Sequence, residues 1–132
     1  SESIFSETIN RFLGLFSEFL VSTFNDMVKE LEPSEIDKSL KKIVEKQEAF
    51  RKFKKNLEAI GLPSIALLPI TARIAILDGS KIIYETADFV YKTVEGEVSF
   101  IKKAMMELIF FEVRIIMKGI CIATDVCEVK FK

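Results

Sequence analysis

The chain has 132 residues, 49% hydrophobic and 30% charged; a domain of that length buries enough surface to fold without disulfides or metal, and the composition is too apolar for disorder. With 19 basic and 20 acidic residues the net charge is -1, which supplies no drive toward nucleic acid. Histidine and tryptophan are absent while phenylalanine numbers 12; the commonest general base, metal ligand and pH switch are therefore missing, and bulky apolar rings suit an oily core or cavity.

The first predicted helix runs from about Ser3 to Leu31. Phe5, Ile9, Phe12, Phe16, Phe19, Leu20, Phe24, Met27 and Leu31 fall mostly three or four apart, the spacing of one helical face. Pro33 ends it, because the residue before proline avoids the α region. The second helix opens at Ser34, where Ser34 and Asp37 resemble a capping box. Its buried stripe is Ile36, Leu40, Ile43, Gln47, Phe50, Phe53, Leu57 and Ile60, and Gly61 and Pro63 read as its stop. This is the most polar helix and is expected to be the most exposed.

The third helix starts at Ser64 or at Leu68, with Pro69 tolerated in its first turn. Asp78, Lys81, Glu85, Asp88, Lys92 and Glu95 step along one narrow wet stripe. Asp78-Gly79-Ser80 is also a turn signal, so a break there, giving five helices, is the alternative. Glu95-Gly96-Glu97 is the last predicted loop. The fourth helix spans about Val98 to Thr124, with Lys103, Glu107, Arg114, Lys118 and Asp125 on one face within ~60°. The tail from Cys127 to Lys132 alternates polar and apolar residues. Together these segments predict an all-α fold, one domain over residues 1–132, built as an up-and-down bundle of four long helices.

Several segments also carry bland explanations. Arg51-Lys52-Phe53-Lys54-Lys55 belongs to a basic run on the second helix, but Asp37–Lys41 and Glu48–Lys52 have the spacing of ordinary surface pairs. Cys121 and Cys127, six residues apart, would lie ~9 Å apart on a continuous helix, too far for a disulfide unless the helix ends between them. Gly79 and Gly119 inside apolar helices suggest close backbone approach or a kink. No GxGxxG or GxxxxGK pattern occurs, so no phosphate cradle and no cofactor is expected. Charges interrupt Ala104 to Thr124, and the uncharged run Ala59 to Ala72 is shorter than the ~20 residues a bilayer needs; no transmembrane helix is predicted. The chain begins at Ser1 without a basic stretch, so a mature secreted chain and a cytosolic one read alike.

The third and fourth helices are apolar around more of their circumference than a plain bundle requires. Glu112 is the sharpest anomaly: it lies ~180° from Lys103, one turn from Leu108, Ile109, Ile115 and Ile116. A carboxylate there must be paired, protonated, hydrogen-bonded or in contact with a ligand. Arg73 is the obvious partner, but folding back about Gly96 leaves it ~10 Å from the level of Glu112 along the axis; Tyr84 is nearer. The leading functional expectation is a non-enzymatic bundle that binds an apolar small molecule or lipid, with Glu112, Arg73, Tyr84 and Tyr91 orienting a polar head and Phe110 and Ile116 among the apolar walls. The alternative is a structural or interaction protein whose excess apolar surface forms a homo-oligomer or binds a partner chain. No catalytic or metal-ligating set can be assembled from these residues; peripheral lipid contact is the only membrane role considered.

Overall fold

The computed structural model describes residues 2–93 and 98–124. Among those residues the chain is an all-helical bundle: α1 over Glu2–Lys29, a short 3-10 turn over Pro33–Glu35, α2 over Ile36–Ala59, α3 over Leu68–Thr93 and α4 over Val98–Thr124. Helix α3 continues through Asp78, Gly79 and Ser80 without a break, giving four long helices and not five. The expected loop at Glu95-Gly96-Glu97, Asp125, Cys127 with any bridge to Cys121, and the tail to Lys132 lie outside the described residues, as do the side chains of Phe5, Ile9, Phe100, Ile101 and Lys103.

The helix ends follow from proline and glycine chemistry. Glu32, ahead of Pro33, is extended at φ -111 and ψ 119, because the proline ring crowds the α region of its predecessor. Pro33 then opens a tight turn at once, with the Glu35 N–H donating to the Glu32 carbonyl at 2.9 Å. Ser34 therefore sits inside a helical turn and not at an extended cap position. The capping box expected from Ser34 and Asp37 does not form: Glu35 precedes α2 without a side-chain cap. At the other end of α2, Gly61 adopts φ +93. Its N–H donates to the Glu58 carbonyl at 3.0 Å and the Leu62 N–H to the Leu57 carbonyl at 3.2 Å, the paired bonds of a left-handed helix stop that glycine favours. Pro69 stands in the first turn of α3, where its missing N–H costs nothing.

Helix α3 is central to the packing. Helix α2 lies antiparallel along one side of it and α4 along another, while α4 also packs antiparallel to α1. No comparable contact joins α2 to α1 or to α4. The core sits between α1, α3 and α4, with Leu20, Phe24, Ile83, Ile109 and Met117 among its fully buried side chains. From α2 it takes Ile36; α2 otherwise buries Ile43 and Gln47. A Cβ at Gly79 would collide with the Phe24 ring of α1 and lie 2.8 Å from Ile116 Cδ1 of α4. The close approach expected at Gly79 is therefore present, and three helices meet there. It does not occur at Gly119, where nothing lies within 4 Å of a built Cβ.

Among the described residues α2 packs along its length chiefly on α3, so a narrower stripe suffices to hold it. Phe53 and Ile60, expected on its buried face, are 50% and 76% exposed. The wet stripe of α3 is closed by pairs of its own, Lys81–Glu85 at 3.3 Å and Asp88–Lys92 at 2.9 Å. Asp37–Lys41 and Glu48–Lys52 form no ion pair; on α2 the helical pair is Lys54–Glu58 at 4.0 Å. Solvated pairs of this kind are worth a few tenths of a kcal/mol, too little to fix which of them closes. Among the described residues no helix is long and apolar enough to cross a membrane.

Candidate functional site: a groove between α2, α3 and α4

Two helices that both pack on α3 but not on each other leave a space between them. That space is a groove of about 390 Å³ with α3 as its floor. Thr71, Ile74, Ala75, Asp78, Gly79 and Ile82 come from α3, Glu112, Ile115, Ile116, Gly119 and Ile120 from α4, and Lys54 from α2. Its hollowness follows from the small residues Ala75 and Gly119, which remove side chains where the walls converge; the space beside Gly79 is instead taken by the Phe24 ring and Ile116. The fold-back of α4 on α3 sets Ile116 against Gly79, within a turn of the register expected from a reversal at Gly96.

Glu112 lines this groove and is half-buried. Its Oε2 is buried and takes no hydrogen bond. Burial also pushes its carboxyl above the ordinary carboxylate range, since a poorly solvated carboxylate favours its neutral form. Neither partner considered from the sequence reaches it. The Arg73 guanidinium stands 5.8 Å over the Phe50 ring of α2, a cation–π contact on the other side of α3. Tyr84 is half-buried and packs against the core.

Asp78, the second carboxylate of the groove, is in a different state. Its Oδ1 accepts hydrogen bonds from Gln47 Nε2 and from Arg51 Nη2, each at 2.7 Å. Gln47 is only 5% exposed, so this bond satisfies a buried amide as well as a carboxylate. The sequence reading placed Gln47 on a buried stripe and Asp78 on a wet one without joining them. The signal was available: an amide interrupting an apolar stripe needs a partner.

The remaining expected site residues are dispersed. Ile116 joins Glu112 in the groove. Phe110 is 62% exposed on the α1 side of α4, beside a more open hollow of about 530 Å³ lined by Ser17, Val21 and Asn25 among others. Tyr91 packs against the core with a buried hydroxyl that has no hydrogen-bond partner; burial, and then the charge of Glu32, raise its pKa. The fold therefore brings together Glu112 and Ile116, and separates them from Arg73, Tyr84, Tyr91 and Phe110. It adds Asp78, Lys54, Ile82 and Gly119.

An apolar groove with a few polar groups can bind and orient a molecule; no group of His, Cys, Asp and Glu able to hold a metal ion occurs among the described residues. The chain matches no protein-family model, no curated protein and no solved structure.

Proposed function

We propose that this protein is a non-enzymatic binding module that holds an apolar small molecule or lipid in the α2–α3–α4 groove. The observation that carries the reading is Glu112, whose buried Oε2 lacks a partner in a groove walled by Ile74, Ile82, Ile115 and Ile116. Small-molecule sites are mostly apolar clefts of about 300–1,000 Å³ with a few placed polar groups, and 390 Å³ falls in that range. Gly119 offers a clean test, because it lines the groove and a Cβ there meets nothing within 4 Å. Gly119→Leu fills the groove without overpacking the core. The neutral fluorescent amine N-phenylnaphthylamine should brighten on binding the native protein and not on binding folded Gly119→Leu. Absence of binding to the native protein, with no small molecule carried through purification by native mass spectrometry, overturns the reading.

A different observation favours a second reading. Leu108, Phe111, Ile115 and Ile122 on α4 are 42 to 77% exposed and share a sector of about 60°. A continuous apolar stripe on a surface marks an interaction site, and an interaction protein would cover it with a second copy or a partner chain. Sedimentation of the purified chain over a concentration series tests the second-copy form of this reading.

A further inference from the structure

The polar groups of the groove differ in what they still lack. Asp78 Oδ1 has two donors, from Gln47 and Arg51, at 2.7 Å each. Lys54 Nζ stands 4.0 Å from Glu58 Oε1. Glu112 has an oxygen sealed from solvent and without a donor.

These groups are also spread along the groove. The Gly79–Ile116 contact puts Glu112, one turn earlier on α4, near the level of Ile83. The Gln47–Asp78 bond sets the antiparallel register of α2 and puts Lys54 near the level of Thr71. Glu112 and Lys54 therefore mark opposite ends of a trough whose floor on α3, from Thr71 to Ile82, is about 16 Å long, with Asp78, paired to Arg51, between them. At the Glu112 end the lining is Ile82, Ile115 and Ile116.

Resting on the reading of this groove as a binding site, we propose that its occupant is a cationic amphiphile, with a primary ammonium head donating to Glu112 and an aliphatic body lying along Ala75 and Gly79 toward Thr71. An ammonium supplies a compensating charge to the carboxylate and, once Glu112 turns its sealed oxygen into the groove, the hydrogen-bond donor that oxygen lacks. A neutral alcohol supplies the donor and leaves the charge. A carboxylate head supplies neither and meets like charge in a poorly hydrated site. Lys54 is too far along the trough to neutralise Glu112 and is drawn to Glu58; Arg51 is committed to Asp78. A trough of ~16 Å suits a chain of roughly a dozen carbons.

The test is displacement of N-phenylnaphthylamine from the full chain by dodecylammonium, dodecanol and dodecanoate, each below its aggregation concentration. At neutral pH dodecylammonium is expected to displace the probe at concentrations at least about tenfold below the other two, and lowering the pH until Glu112 is protonated should erase that advantage. Glu112→Gln should abolish it as well and leave dodecanol unchanged, with circular dichroism verifying the fold. Dodecanoate matching dodecylammonium on the native protein, or Glu112→Gln preserving the ammonium preference, overturns the cationic head. Equal displacement by all three overturns it too, while the groove reading stands. If the probe never binds and none of the three amphiphiles protects the protein from thermal unfolding, the groove reading itself fails.

Discussion

At Gly79 the absence of one methyl group decides how three helices meet. Its missing Cβ is the space taken by the Phe24 ring and Ile116 Cδ1, and Phe24 is 0% exposed, leaving its ring no way to retreat. Gly79→Ala should therefore destabilise by about 1–2 kcal/mol through overpacking, despite the better helix propensity of alanine. Gly14 is the control, with nothing within 4 Å of its built Cβ; Gly14→Ala should stabilise by about 0.5–1 kcal/mol. Urea unfolding of both variants checks the pair, and equal effects would mean the packing at Gly79 relaxes freely. Glu112 makes a prediction of opposite kind. Burial raises its folded-state pKa above the ordinary 4.5, so the folded state binds more protons than the unfolded one between the two values. Its contribution to stability is therefore fully present below the ordinary value and is lost as pH rises through the raised one. Glu112→Gln should remove that downward slope. Glu112→Leu should gain about 1 kcal/mol at pH 7, the lower part of what an unsatisfied buried group costs, because the side chain is only half-buried. Unfolding free energies at pH 4 and pH 7 test both; an unchanged slope in the Gln variant would place Glu112 in full solvent.

Among the described residues, α2 is the long helix that buries the fewest side chains. Its buried residues are Ile36, Ile43 and Gln47, and its long-range polar tie is the Asp78 carboxylate shared by Gln47 and Arg51. Asp78→Ala would strand the Gln47 amide at 5% exposure, a loss of about 1–2 kcal/mol. Hydrogen exchange should show the second half of α2, from Arg51 to Ala59, opening before the interiors of α1, α3 and α4, and Asp78→Ala should widen that gap. Exchange of α2 as slow as that of α3 would count against this. The same helix shows what a sequence can and cannot carry. Its end was legible, because Gly61 and Pro63 act through local backbone geometry. Its start is half legible: Pro33 stops α1 through the same local geometry, but the spacing of Ser34 and Asp37 does not show that Pro33 also opens the next turn and displaces Ser34 from the cap. Periodicity puts Phe53 and Ile60 on the buried face because it defines a face without saying how much of it finds a neighbour. For the same reason Glu112 and Ile116 were found, whereas Phe110, Arg73, Tyr84 and Tyr91 could not be assigned to one side of α3 or another. Which helix α2 leans on is a tertiary fact, fixed by shape and by one buried amide.

On the scale of the whole molecule, the excess apolar surface includes the groove and the exposed stripe of α4, which share Ile115. The stripe has the three-and-four spacing of a coiled-coil seam at Leu108, Phe111 and Ile115 and resumes at Ile122 beyond Lys118. The charges beside it discriminate between ways of covering it with a second copy. A parallel pairing would set Glu107 of one copy against Glu112 of the other, like against like. An antiparallel pairing centred between Leu108 and Phe111 sets Leu108 against Phe111 twice, and Glu107 beside Arg114 twice. Glu107 and Arg114 are both exposed and form no ion pair with another of the described residues. If the stripe is a self-contact, the antiparallel form is the one these charges permit. Sedimentation should then show a dimer that grows with concentration and weakens with salt. Arg114→Glu should weaken it, and adding Glu107→Arg to that variant should restore it, a rescue that nonspecific apolar adhesion would not give. Phe111→Glu should abolish it at little cost to folding, since Phe111 is 58% exposed and surface changes usually stay within about 0.5 kcal/mol. A native chain that stays monomeric throughout the concentration series removes the self-contact and leaves a partner chain as the cover the stripe would need.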